Sequence, residues 1–187
     1  FFSSKIAEVT IGANATFGLG SFQDCYDLET VNMPEEGGVH FGRGCFAKCT
    51  ALKNIDLSKT NAVIEAETFY GCNSLRSAIM PQVKEIGDYA FANCSNLSVV
   101  NENQKKMLLP NELEKIGECA FMGVSIITEI SVPDSVIEIG YAAFNGCTSL
   151  VDLTVPFIGQ SEHETDARFS TLGHFFGDSN PTDTSYD

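Results

Sequence analysis

The feature that most constrains this chain is a recurrence at roughly every 23rd residue, anchored on phenylalanine. The anchors are Phe22, Phe46, Phe69, Phe91, Phe121 and Phe144, spaced by 24, 23, 22, 30 and 23 residues. Three positions after each anchor stand Cys25, Cys49, Cys72, Cys94, Val124 and Cys147. Six after come Leu28, Leu52, Leu75, Leu97, Ile127 and Leu150; nine after come Val31, Ile55, Ala78, Val100, Ile130 and Leu153. Five before come Phe17, Phe41, Ile64, Ile86, Ile116 and Ile139. A fixed period of this length marks a chain built from stacked copies of one small unit.

The clearest unit runs from Pro133 to Pro156 and ends in Leu150-x-x-Leu153-x-Val155, the Leu-x-x-Leu-x-Leu spacing of a leucine-rich repeat. Its alternating end predicts a short strand. Gly140 is expected at a turn, and Pro133 and Pro156 at strand ends. The stretch from Ala142 to Cys147 is too short for an independent helix and predicts one helical or 3₁₀ turn held by Phe144. One unit alone cannot cover its own Phe, Ile, Leu and Cys side chains. Stacking in register joins the strands into a parallel sheet and makes those residues one continuous core. Each buried Phe, Leu or Ile then contributes on the order of 1.5–3 kcal/mol.

The expected fold is therefore α/β: a right-handed leucine-rich-repeat solenoid, with a parallel sheet on the concave face and short helical turns opposite. Residues 1–157 make up the solenoid, about six units plus an N-terminal partial one. Residues 158–187 form a capping extension, including the run 172–177, and a polar tail. Ile6, Val9 and Ile11 repeat the strand spacing and put a missing anchor just before Phe1, so the chain, starting without Met as a processed or trimmed piece would, begins in mid-unit. The 30-residue interval predicts a bulged loop over Asn101 to Met107.

The unit Val-x-x-Ile-Gly-x-x-Ala-Phe-x-x-Cys-x-x-Leu-x-x-Ile-x-Val-Pro resembles the BspA-like family of bacterial leucine-rich repeats, closely over 135–156 and more loosely over about 6–156. Residues 156–159 and 172–177 also resemble a segment that follows such repeats in clostridial surface proteins. The resemblance implies a secreted or wall-attached protein used for adhesion to host matrix proteins or neighbouring microbes. Related repeats occur in some protists as well. The family motif is structural and transfers no catalytic residue. Val124, Ala78 and the degenerate unit around Gly37 to Gly44 depart from it.

The net charge is −14, from 25 acidic and 11 basic residues. That sign disfavours nucleic acid and anionic membrane surfaces, and no stretch reaches the ~18 apolar residues of a membrane span. No charged-then-apolar signal sequence opens the chain.

Five of the seven cysteines share a slot that Val124 also fills, so buried thiols are favoured over disulfides, and disulfides over metal. Cys45 and Cys119 lie outside that slot. His40, His163 and His174 form no His-Glu-x-x-His set. Glu162, Glu164 and Asp166 lack the oxygen spacing of a calcium loop. No nucleophile elbow or phosphate loop is present, so no cofactor, metal or catalytic residue is expected. Asn14, Asn93 and Asn96 head glycosylation triplets, with Asn93 expected inside the packed turn.

What remains is the outward side of the strands. The central outward positions are Thr10, Asn32, Asp56, Ile79, Asn101, Ser131 and Thr154, flanked by Glu8, Thr30, Asn54, Ser77, Glu129 and Asp152. From these, Asn32, Asn54, Asp56, Ser77, Glu129, Ser131, Asp152 and Thr154 are the candidate binding residues. The expected function is non-catalytic adhesion or protein binding at the cell surface, by a monomer. The alternative is a passive spacer presenting another domain; an enzyme ranks last.

Overall fold

The computed structural model describes residues 1–98, 106–161 and 172–177. Among them lie thirteen short strands and one helix. Each coil contributes two strands, and both sets pair only in parallel. The three-residue set is β1 (Glu8–Thr10), β3 (Thr30–Asn32), β5 (Asn54–Asp56), β7 (Ser77–Ile79), β9 (Lys106–Leu108), β11 (Glu129–Ser131) and β13 (Asp152–Thr154). Its ladders are β1–β3, β5–β7 and β9–β11–β13. The register is the repeat itself: Val9 faces Val31, Ile55 faces Ala78, and Ile130 lies between Met107 and Leu153.

The two-residue strands end on the apolar residue five positions before the anchor. They are β2 (Thr16–Phe17), β4 (His40–Phe41), β6 (Val63–Ile64), β8 (Glu85–Ile86), β10 (Lys115–Ile116) and β12 (Glu138–Ile139). They form a second parallel sheet in the order β6–β8–β10–β12, with β2–β4 apart. Period-two alternation over two residues carries too little pattern to announce a strand, so the sequence marks these positions as apolar and no more.

The core is the column of anchors. Phe22, Phe46, Phe69, Phe91, Phe121 and Phe144 are all fully buried. Neighbouring rings lie 5.3–6.0 Å apart with interplanar angles of 2–12°. Phe1 continues the column, 5.2 Å from Phe22 at 4°. The anchor expected before the first residue is thus Phe1 itself, in a first interval shorter than the rest. At the other end α1 (Leu172–Phe176) sets the buried Phe175 edge-on against Phe144. The amides of Ala142 and Phe144 donate to the carbonyls of His174 and Phe175, as the amides of Cys119 and Phe121 do to Tyr141 and Ala143 one coil earlier.

The anchor segments are not helical. They are hydrogen-bonded turns, because the residues two before and two after each anchor take positive φ. Glu67, Tyr89 and Cys119 do so at 52–59°, and Asp24, Lys48 and Asn93 at 58–61°. A left-handed residue on each side of the anchor stops a right-handed helix from propagating. It also turns every second amide towards the next coil. Phe22 donates to Cys45, Phe46 to Thr68, Phe69 to Ala90 and Phe91 to Ala120, all at 2.8–2.9 Å. The α/β expectation therefore gives way to a parallel-strand β-solenoid of about six coils.

The 30-residue interval is also resolved differently. The buried strand position of that coil is held by Met107, fully buried and level with Ile130, so Leu108 and Lys106 take the outward positions. The extra residues precede the strand rather than follow it. Val100 and Asn101 lie outside the described residues, as do Glu162, His163, Glu164, Asp166 and the tail 178–187.

Gly140 is needed for a reason other than turning. A Cβ there would sit 2.3 Å from the Glu118 amide nitrogen, and one on Gly117 would sit 2.6 Å from that of Asp88. Neither glycine has positive φ; the backbones of adjacent coils simply touch. Gly117→Ala is expected to cost about 1–3 kcal/mol through overpacking. A urea titration should show a lower midpoint with an unchanged slope.

Candidate functional site

The outward face is built by the three-residue strands. Their middle residues are buried, as at Ile55, Met107 and Ile130, or half-buried at the end strands' Val9 and Leu153, which turns the flanking side chains outward by the two-residue alternation of a strand. Of the candidates, Asn32, Asn54, Asp56, Asp152 and Thr154 are exposed, and Ser77, Glu129 and Ser131 are half-buried. Ladder register brings Ser77 level with Asn54, Asp152 with Glu129, and Thr154 with Ser131. Asn32 donates to Glu8 Oε1 at 2.7 Å, and Asp56 accepts from the Ser58 amide at 2.8 Å. Glu129 pairs with Lys106, a cation that the expected row of polar and acidic groups did not include.

The eight candidates do not share one continuous ladder, since β3 and β5 are not hydrogen-bonded as strands. At that break a cleft of about 510 Å³ is bordered by Glu29, Lys53, Asn54, Asp56, Ser77 and Ile79. A second cleft of about 740 Å³ is lined by residues 77–81 and 108–112. Ile79 and Leu108 expose 53% and 43% of their surface there, which gives the otherwise polar face an apolar patch. Leu108 reaches this face because Met107, seven residues beyond Val100, holds the buried strand position of its coil.

All seven cysteines are free and buried. Each thiol of the repeated slot points at the carbonyl of the preceding anchor: Cys25 to Phe1, Cys49 to Phe22, Cys72 to Phe46 and Cys94 to Phe69, each at 3.1 Å, and Cys147 to Phe121 at 3.5 Å. The thiols run parallel along the column and do not converge. Burial pushes Cys45, Cys49 and Cys147 up to about 12, and Cys72 and Cys94 up as well. Such groups are poor nucleophiles and poor metal ligands.

His40 bonds through Nδ1 to Asn61 at 3.1 Å, and His174 is buried with Nε2 3.1 Å from the Ile139 carbonyl. Among the described residues no three His, Cys, Asp or Glu side chains converge as a metal set, and no helix is long and apolar enough to cross a membrane. Asn93 is exposed rather than packed in the turn, and asparagine suits its left-handed backbone.

Parallel coils, a phenylalanine column and a leucine-bearing strand edge define a leucine-rich-repeat solenoid. The chain belongs to the BspA type leucine rich repeat family, which it matches in six copies over residues 1–98 and 98–165. It is similar in structure to a leucine-rich repeat protein from Bacteroides ovatus, with 25% identity and a TM-score of 0.61 over 81% of this chain. The match covers 43% of that protein, so the present chain spans less than half of it. A leucine rich repeat protein from T. pallidum shares the fold at 21% identity and a TM-score of 0.58, over 81% of this chain and 70% of its own. A leucine rich cell surface protein from Faecalibacterium prausnitzii aligns at 25% identity and a TM-score of 0.49, over 94% of this chain and 36% of its own. No curated protein matches the chain.

The raised thiols give a signed pH dependence. Their stabilisation is fully present below the unfolded thiol range, near 9, and is lost as pH rises through the folded values near 12. Denaturant midpoints should therefore fall between pH 9 and 12. Cys94→Val, which copies Val124, should fold at neutral pH and lose part of that alkaline fall.

Proposed function

We propose that this chain is a non-catalytic, secreted or cell-surface module that binds a protein partner through the outward face of its three-residue strands. The observation that carries the reading is the row Asn32, Asn54, Asp56, Ser77, Glu129, Ser131, Asp152 and Thr154, held on rigid strands while the core positions are filled by other residues. A fixed row of short polar groups loses little entropy on binding, and solenoids present such surfaces to partners. The exposed Ile79 and Leu108 add the apolar contact that a polar face lacks. The acidic members favour a partner with a basic surface.

The test is the triple reversal Asp56→Lys, Glu129→Lys and Asp152→Lys, assayed for adhesion to immobilised matrix proteins and to cells. Adhesion should fall while the thermal midpoint stays within a few degrees, because the substitutions lie at exposed or half-buried positions. Unchanged adhesion would overturn the reading in favour of a passive spacer.

A further inference from the structure

The turn side of the solenoid carries a groove that the strand-face reading leaves unused. It has a volume of about 480 Å³ and runs beside the anchor column from the coil of Phe22 to that of Phe121. One edge follows the fourth residue after each anchor. In coil order these are Tyr26, Thr50, Asn73, Ser95, Ser125 and Thr148, every one a neutral hydroxyl or amide in a chain of net charge −14. The first four line the groove. The other edge is the left-handed position two after the anchor, where Gly71 and Gly123 leave the backbone bare.

Two aromatic side chains border this channel. Tyr26 is 54% exposed, and Tyr70, next to its anchor Phe69, is half-buried. In the coil of Tyr70, hydrogen-bond complementarity assigns the Asn73 amide: the carbonyls of Gly71 at 2.6 Å and Asn93 at 3.2 Å select its nitrogen as their donor, which leaves its oxygen to accept. Its own carbonyl receives Asn96 Nδ2 at 2.6 Å. The Thr50 and Ser95 hydroxyls bond to no other described residue, so both can donate and accept outward. Lys48 is the one charged side chain on the lining.

We propose that this groove binds a neutral oligosaccharide. The exposed Tyr26 ring and the half-buried Tyr70 ring offer apolar faces for the C–H faces of sugars, and Tyr26 is steadied by donating its hydroxyl to Asp24 Oδ1 at 3.1 Å. Hydroxyls and a pinned amide match ligand groups that each donate and accept. Neighbouring anchor rings lie 5.3–6.0 Å apart, close to the advance of one sugar in an extended β-linked glycan, so such a chain can follow the groove from coil to coil. An acidic peptide or nucleic acid would find one cation only, and a basic peptide would find no lining carboxylate, the adjacent Asp24 being buried and already engaged by the Tyr26 hydroxyl.

The experiment is an array of neutral and charged oligosaccharides probed with the purified chain, alongside Tyr70→Ala, Tyr26→Ala and Asn73→Ala. Retention of neutral glycans is expected, weakened about tenfold or more by either tyrosine truncation. Thermal midpoints and circular dichroism of each variant separate a lost site from a lost fold; a milder Tyr70→Leu keeps bulk and removes the hydroxyl. The strand-face triple reversal should retain glycans normally, so the two readings fail separately. No retained neutral glycan, retention of charged glycans alone, or retention unaffected by both tyrosine truncations would overturn the proposal.

Discussion

The near-parallel stacking of one phenylalanine on the next sets the terms for everything else in this molecule. Centroids 5.2–6.0 Å apart at small interplanar angles require each anchor to repeat the side-chain orientation of the one before it. That condition holds only if the backbone around every anchor also repeats. The paired left-handed residues supply the repetition, and the amides they turn along the axis connect coil to coil. The ring column and the amide ladder therefore depend on each other. A ring out of register would leave buried amides without acceptors, each costing about 1–3 kcal/mol. The close contacts at Gly117 and Gly140 follow from the same demand, since coils seated this tightly leave no room for a Cβ.

The core was legible because it is written at every period. All six anchors, the cysteine slot and the positions five before the anchor could be named from spacing alone, and each resides in the column or the second sheet. What escaped was set by backbone conformation rather than by side-chain pattern. Glu67, Tyr89 and Cys119 have no compositional mark of left-handed residues, so the anchor segments read as helical turns. The irregular coil escaped for another reason. Val100 and Met107 are both apolar; spacing from Phe91 favours Val100, while register with Ile130 selects Met107. That choice decided the outward face, placing Lys106 and Leu108 where a short polar residue had been expected. The polar row itself was readable from alternation; the clefts that divide it were not, since they arise where neighbouring strands fail to pair.

Charge is arranged with the same periodicity. Arg43–Glu67, Lys53–Glu29, Lys84–Glu114 and Lys115–Glu138 join side chains from adjacent coils at 2.6–3.2 Å, and Lys106–Glu129 does so on the outward face. At these exposures solvent screening leaves each pair a small contribution, far below the burial of one anchor ring. Their effect lies in register. A slip by one coil position would set carboxylates against carboxylates in a chain with 25 of them. Fixed pairing also consumes cations, so the charge left on the surface is acidic.

The division between column and surface explains how one repeat can carry two unlike faces. Core positions occupy the anchor, its third, sixth, ninth and eleventh successors, its fifth predecessor and, in several coils, its eighth predecessor and the residue just before it. On the strand side the free positions flank a buried residue and are presented in line by the ladder. On the turn side they follow the left-handed pair and are presented along a groove whose floor is backbone. A substitution on either face spares the anchor column, because the rings that form it are fully buried. The two faces can therefore vary in composition independently, and the strand face with its acids and the turn face with its neutral hydroxyls and amides differ in the way that independence permits.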